Sequence, residues 1–148
     1  MNNGCSSKNT HWLNLIYINN IVYWRYSMFY LLIVGSRTFD DYEKLNKTCM
    51  RLLVNHSEVT VVSGGARGAD KLAERFASEH GYTLNVFPAS WNTYGKRAGY
   101  IRNEVMHKFI SQFDKRGCVA FWDGQSKGTQ HNFGLAKKYN TPLRIVRV

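Results

Sequence analysis

Acidic residues are scarce in this 148-residue chain: ten Asp and Glu stand against twenty Lys and Arg, a formal net charge of +10. That deficit favours anionic partners, whether nucleic acid, nucleotides or an acidic membrane surface, without choosing among them. Proline is nearly absent, with two in the chain, which excludes collagen-like structure, and a hydrophobic content of 44% excludes a disordered chain. Cysteine is limited to Cys5, Cys49 and Cys118, an odd and widely spaced set without a CxxC pair. Neither a disulfide framework nor a zinc ribbon follows, and a reducing, cytoplasmic setting fits best. The five histidines show no HExxH or other ligand spacing, so no metal and no resident cofactor are expected. Long apolar runs are missing too. From Trp12 onward the longest is 28–34, well short of the ~18–20 residues of a spanning helix, so no transmembrane segment is expected, and no small-residue cleavage site is present.

What the chain does contain falls into two unequal parts. Residues 1–27 are rich in Asn and aromatics, carry Lys8 and Arg25 but no acid, and crowd Trp12, Ile16, Tyr17, Ile21, Tyr23 and Trp24 together. Met28 stands directly before the first convincing strand. Residues 1–27 are accordingly expected to be an extension outside the fold, with an interfacial hairpin or aromatic anchor as the alternative. Residues 28–148 are expected to form one domain, a size that buries about 70% of its unfolded surface without staples.

From Met28 onward apolar runs alternate with helical patterns. The run 30–34 ends at Gly35-Ser36 and reads as a strand buried on both faces. Asp40 or Asp41 can cap a first helix with Leu45, Cys49, Leu52 and Leu53 on one face. Strands follow at 59–62, 84–87, 119–122 and 143–148. Helices follow from Asp70 to near Gly81, from about Tyr100, and over 129–139. The segment 89–99 reads as a long functional loop. Strand and helix repeating through one domain imply right-handed crossovers, hence an α/β fold: a single Rossmann-like three-layer αβα sandwich with a mostly parallel five-stranded sheet. In such folds ligands sit beyond the carboxyl ends of the strands.

The loops at that edge carry glycine and arginine. Gly35-Ser36-Arg37-Thr38 follows the first strand, and Ser63-Gly64-Gly65-Ala66-Arg67-Gly68-Ala69-Asp70 leads from the second strand into a helix. Asp123-Gly124-Gln125-Ser126-Lys127-Gly128-Thr129 does the same after the fourth. Glycines admit sharp turns and close approach, helix N-termini present unpaired amides, and arginine is a bidentate phosphate donor. Neither GxGxxG nor GxxxxGK[ST] occurs, so nicotinamide hydride chemistry and ATP hydrolysis do not follow. Arg102 and Asn103, read as the first turn of the third helix, oppose the helix dipole unless an anion sits there. Trp91, Tyr94 and Trp122 offer rings for stacking.

Taken in order, these motifs, with Phe87-Pro88-Ala89, Tyr94-Gly95-Lys96, Ile101-Arg102-Asn103 and Phe121-Trp122-Asp123-Gly124, resemble the YspA, YpsA-related branch of the SLOG superfamily, over about 30–148. The resemblance implies a Rossmann-like domain binding nucleotides or nucleotide-derived ligands. Members are proposed to sense or process NAD- and ADP-ribose-like signals in bacterial and phage conflict systems. The family's motif positions fall on Gly35, Ser36, Arg37, Gly64, Gly65, Arg67, Gly68, Asp70, Arg102, Asn103, Asp123, Gly128 and Thr129. LOG phosphoribohydrolases are similar in the last glycine loop, where their pattern runs Gly-Thr-x-x-Glu, but Asn132 stands here at the Glu position, and a neutral amide is no general acid or base. DprA DNA-processing proteins share a similar Gly-Ser-Arg strand end, glycine loop and Arg-Asn pair, and bind single-stranded DNA.

The expected function is therefore binding, by sensing or sequestering, of a nucleotide or NAD/ADP-ribose-derived small molecule. Arg37, Arg67 and the amides of Gly64, Gly65 and Gly68 are expected at a phosphate; Lys127, Gly128 and Thr129 at a second phosphate or ribose; Asp70 or Asp123 at a ribose hydroxyl; and Trp91 or Trp122 at the base. The first alternative is a hydrolase of an N-glycosidic or phosphate bond in such a ligand, with Asp70, Glu74 and Asp123 as the candidate catalytic acids. The second is single-stranded DNA binding through Lys96, Arg97, Arg102 and Lys108 with Trp91 and Tyr94. Two apolar stripes on the third helix, Ile101-Val105-Phe109 and Met106-Ile110-Phe113, are consistent with a homodimer or with wider core burial.

Overall fold

Parallel strands cannot be joined by tight turns, so each pair needs a crossover long enough to hold a helix. The computed structural model, which describes residues 13–18, 21–26 and 28–148, follows that rule from residue 29 onward. Before it, β1 (Leu13–Ile18) and β2 (Ile21–Tyr26) pair antiparallel with each other, from Leu13↔Tyr26 to Ile18↔Ile21, in a sheet of their own. The rest of the 1–27 extension lies outside the described residues. The main sheet comprises β3 (Phe29–Gly35), β4 (Val59–Ser63), β5 (Thr83–Val86), β6 (Arg116–Trp122) and β7 (Leu143–Arg147). Its spatial order is β5-β4-β3-β6-β7 and every pairing is parallel. The connections carry α1 (Tyr42–Leu52), α2 (Ala69–His80), α3 (Trp91–Tyr94), α4 (Ala98–Ile110) and α5 (Lys127–Lys138).

Strand periodicity assigns the faces. In β3, Leu31 and Ile33 join one core cluster with Leu45 and Cys49 of α1 and Ala73, Phe76 and Ala77 of α2. Leu32 and Val34 join the other, with Met106 and Ile110 of α4. These four β3 residues are at most 3% exposed, as expected for a central strand covered on both sides. β6 repeats the pattern, with Val119 and Phe121 facing α1 and α2 and Cys118 and Ala120 facing α4 and α5. The result is the expected three-layer αβα sandwich, with a wholly parallel sheet.

The helices begin where side chains or close packing set them. Asp41 caps α1 by accepting from Lys44 N at 2.9 Å. Leu52, expected on the apolar face, is 38% exposed, and Leu53 at the C-cap takes the buried place. α2 starts at Ala69 after Gly68, ahead of Asp70, because Ala69 N bonds to Ser36 O and draws the turn against the β3 loop. The expected long loop 89–99 is instead largely helical: α3, then a 3-10 turn Gly95–Arg97, run into α4. β6 begins at Arg116 rather than Val119. Arg116 is tolerated there because its guanidinium donates to Phe113 O, Tyr139 O and Asn140 O. Of the two stripes of α4, Met106 and Ile110 are core and Phe113 stacks on Tyr30 at 3.7 Å, while Val105 remains 47% exposed.

Gly68 shows how close the two loops come. Its φ is +74°, and a Cβ there would collide with Ser36 O and stand 2.6 Å from Arg37 C. Gly68→Ala is expected to cost about 2–4 kcal/mol in urea unfolding, from backbone strain plus overpacking. Gly134, on α5 with open space around it, provides the contrast. Gly134→Ala is expected to add about 0.5–1 kcal/mol by restricting the unfolded chain.

Candidate functional site

From β3 the chain builds outward through β4 to β5, then returns to lay β6 on the other side of β3. The loops leaving β3 and β6 therefore diverge, and a crevice opens between them at the carboxyl edge. It holds a cleft of about 510 Å³. Gly35, Ser36, Arg37 and Thr38 line it from the β3 loop, Asp123 and Ser126 from the β6 loop, and Gly128, Thr129 and Asn132 from α5. Gly99, Tyr100, Arg102, Asn103 and Met106 of α4 form the opposite wall, with Trp91 and Lys96 at the mouth and Ala66 and Asp70 at the floor.

The Asp123 carboxylate organises one side. Its Oδ1 accepts from Ser126 N at 2.7 Å and Gln125 N at 2.9 Å, and its Oδ2 accepts from Ser36 Oγ at 3.0 Å. The bonds from Ser126 N and then Gln125 N hold its pKa below the ordinary value. Ser126 in turn caps α5 by accepting from Thr129 N. Asp123 is thus an ionised brace between the β3 and β6 loops, with its oxygens already engaged.

The floor is built differently. Asp70 is 6% exposed, and its Oδ2 accepts from Ala66 N at 3.1 Å and lies 4.0 Å from Arg102 Nη1. Its Oδ1 makes no hydrogen bond within the described residues, and Asp70 belongs to the cleft lining. Burial raises the Asp70 pKa to about 6, against the opposing pull of Arg102 and the Ala66 amide. Arg102 also donates to Gly64 O, and its Nε donates to Asn103 Oδ1 at 3.0 Å. Gly64 is glycine for this approach: a Cβ would sit 2.6 Å from Arg102 Cζ and 2.8 Å from Asp70 Oδ2. Several loop amides are occupied internally, Gly65 N by Ser63 Oγ, Ala66 N by Asp70 and Ala69 N by Ser36 O.

The α5 side rests on three amide and imidazole groups. Asn103 Nδ2 and Asn132 Nδ2 both donate to Gly128 O, at 3.2 and 3.0 Å. Asn132 Oδ1 accepts from His107 Nε2 at 3.1 Å. His107 is fully buried, and desolvation lowers its pKa to about 4, so the ring is neutral near pH 7 with its proton on Nε2.

The structure brings Gly35, Ser36, Arg37, Asp70, Trp91, Arg102, Asn103, Asp123, Gly128 and Thr129 together around the cleft. Gly64, Gly65, Arg67, Gly68, Glu74, Trp122 and Lys127 lie outside its lining. Arg67 and Lys127 are exposed, and Glu74 pairs with Lys71 at 3.2 Å. Trp122 donates its indole N–H to Ser126 O and packs edge-on against Phe133. Arg102 and Asn103 fall in the second turn of α4, not the first, because the helix begins at Ala98. The expected misfit with the dipole is therefore absent, and Arg102 is engaged by Gly64 O and Asp70. Sequence reasoning missed Tyr100 and the support from His107. The i, i+4, i+7 spacing of Gly99, Asn103 and Met106 is the signal that places one face of α4 on the cleft.

Asp70 makes stability depend on pH. Its folded pKa exceeds its ordinary 3.8, so its ionisation penalises the fold as pH rises through that interval, and the penalty is complete above about 6. A carboxamide at this position has no charge to gain. The unfolding free energy of the natural protein relative to Asp70→Asn should therefore fall by roughly 2–3 kcal/mol between about pH 4 and pH 7.5, at ~1.4 kcal/mol per unit. Urea titrations at the two pH values check this, and a difference independent of pH would refute the placement of Asp70.

Comparison with known proteins adds three findings. A family model described as YspA, cpYpsA-related SLOG (YAcAr) matches residues 29–94, from β3 through α3. The Gene 61 protein of Mycobacterium phage D29 is 36% identical over 119 residues, covering 76% of this chain and 92% of that protein. The solved structure of DNA processing protein A from Helicobacter pylori, a study of its single-stranded DNA binding mode, is similar with a TM-score of 0.56 and 20% identity. That similarity covers 79% of this chain and 64% of that one, and it is a likeness of fold. With the matched segment carrying the β3 loop, the glycine loop and Asp70, and a relative aligned over nearly its whole length, the chain belongs to the YspA, cpYpsA-related SLOG family.

Proposed function

We propose that the chain binds a phosphorylated nucleoside, of the nucleotide or NAD/ADP-ribose-derived kind, in the cleft between the β3 and β6 loops. The observation that carries this reading is the convergence of Arg37, Lys96 and the first turn of α5 on one cleft of about 510 Å³ with Trp91 at its mouth. Pockets of that size enclose small organic ligands, and a helix N-terminus with a guanidinium suits phosphate. In this arrangement Arg37 and the Gly128 amide of α5 take phosphate, Asp70 Oδ1 accepts from a sugar hydroxyl, and a base stacks on Trp91. Arg37 already lies 5.6 Å from the Trp91 ring centroid, so the phosphate and stacking elements adjoin. Phosphate recognition is assigned to the start of α5 rather than to the Gly64–Gly68 loop because Gly128 and Thr129 line the cleft, whereas Gly64, Gly65, Arg67 and Gly68 do not.

Calorimetry with AMP, ADP-ribose and NAD tests the reading. Arg37→Ala should weaken binding by about 1.5–3 kcal/mol, the scale of a charged hydrogen bond, whereas Arg67→Ala should leave it unchanged. Equal losses from both variants, or no binding of any of the three, would overturn the assignment.

Two other readings each have an observation in their favour. Asp70, a cleft-lining residue with a pKa of about 6 and an Oδ1 that makes no hydrogen bond among the described residues, is suited to protonate a leaving base while water adds to the sugar carbon and returns the proton. Of the three candidate acids it is the one so placed, Asp123 being engaged and Glu74 outside the lining. Base release abolished by Asp70→Asn would establish hydrolysis. The fold likeness to a single-stranded DNA-binding protein, together with the net charge of +10, favours a DNA ligand. Oligothymidylate affinity should then fall with log[salt] at a slope of roughly −0.7 per phosphate contact. A slope near that of a mononucleotide would exclude a multi-phosphate interface.

A further inference from the structure

Two side-chain amides on the cleft wall have their ends fixed by what surrounds them. Arg102 Nε can only donate and Gly128 O can only accept, so Asn103 turns Oδ1 to the guanidinium at 3.0 Å and Nδ2 to the carbonyl at 3.2 Å. Asn132, its side chain tilted back along α5 as helical side chains are, places Nδ2 3.0 Å from the same carbonyl and so presents Oδ1 to His107 Nε2 at 3.1 Å. Each Nδ2 carries two hydrogens, and among the described residues each nitrogen gives one hydrogen bond.

The second N–H of each amide is therefore unspent. Asn103 is 6% exposed and Asn132 2%, and both line the cleft, so a ligand held there is placed to satisfy them. The two nitrogens flank one oxygen atom and stand side by side, a pair of donors contributed by α4 and α5. Such a pair suits a group that offers several acceptor oxygens and no donor, which describes a phosphate. The surroundings favour the same charge: the opening turn of α5 holds Lys127 and no acid, its helix dipole is positive at that end, and Arg37 lines the same cleft. The bond from Arg102 also polarises the Asn103 amide and strengthens its N–H groups as donors.

Resting on the nucleotide reading above, we propose that the paired amides of Asn103 and Asn132 are specificity-determining residues: their unspent N–H groups bind the ligand's phosphate oxygens beside the Gly128 amide and set the preference for a nucleotide over its nucleoside. A carboxylate at position 132 keeps the bond from His107 but has no N–H to give, and it sets a negative charge against Gly128 O and the phosphate alike.

Titration of the full isotope-labelled chain with AMP and with adenosine, followed by calorimetry and through the side-chain amide signals in NMR, tests this. AMP should move one N–H proton of Asn103 and one of Asn132 downfield, and adenosine should leave both in place. Asn132→Asp should weaken AMP binding by roughly 10- to 100-fold, the scale of a lost charged hydrogen bond with added repulsion, and change adenosine binding by less than about threefold. AMP binding that Arg37→Ala weakens but that moves neither amide signal would overturn the inference and leave the nucleotide reading intact. Signals displaced equally by adenosine would assign the amides to sugar or base, and equal losses of AMP and adenosine from Asn132→Asp would reduce Asn132 to a structural role; either result overturns the inference. If Asn132→Asp does not fold, the amide signals of the natural protein decide alone. Binding of AMP no tighter than that of adenosine, or no binding at all, would overturn the nucleotide reading and the inference with it.

Discussion

Arg102 ties the two helical layers together across the carboxyl edge of the sheet. It rises from α4 on one face and reaches Gly64 O and the Asp70 carboxylate at the start of α2 on the other. Both charged side chains are withdrawn from water, at 10% and 8% exposure, so each depends on the other and on the surrounding hydrogen bonds to offset desolvation. Gly64 must lack a side chain for the guanidinium to fit. Once Arg102 is seated, its Nε orients Asn103, and Asn103 with Asn132 fixes the Gly128 carbonyl at the opening turn of α5. The cleft walls on both sides are therefore referenced to one buried contact.

That network also explains how a polar site is kept open. Buried polar groups are costly unless paired, and the amides of Asn103 and Asn132, the hydroxyls of Ser36 and Ser126 and the Asp123 carboxylate are paired with one another or with backbone. Pairing makes them rigid and leaves the exposed Arg37 and Lys96 and the Oδ1 of Asp70 as cleft groups without a hydrogen-bond partner among the described residues. A carboxyl that is desolvated yet only loosely paired with a cation 4.0 Å away is the group in the cleft best able to change charge near neutral pH.

Much of the fold was legible because burial on both faces of β3 and β6 demands unbroken apolar runs, and helix faces demand their own spacing. The residues 89–99 were not legible in the same way. Trp91–Tyr94 and the turn Gly95–Arg97 are too short and too polar to show periodicity, and they are held by contact with α4. Arg116 disguised the start of β6, since a cation at a strand end is tolerated only by virtue of three carbonyls supplied by other segments. For the site, the β3 and β6 loop residues were recognisable from glycine, serine and acid at strand ends. Arg67 and Trp122 were not separable from Arg37 and Trp91, because residue type is the same and direction is what differs.

By itself the sequence determined the alternation of strands and helices, the edge of the sheet on which glycine and arginine gather, and the excess of positive charge. These are properties of periodicity and composition, which are local along the chain. Tertiary structure alone decided that the glycine loop after β4 accommodates Arg102 and Asp70, that Gly128 and Thr129 of α5 line the cleft while Gly64, Gly65 and Gly68 do not, and that Asp70 Oδ1 makes no hydrogen bond among the described residues. Each of these depends on which side chain from a distant segment reaches a given atom first, and burial of that atom then fixes the outcome, since a buried polar group holds whichever partner satisfies it.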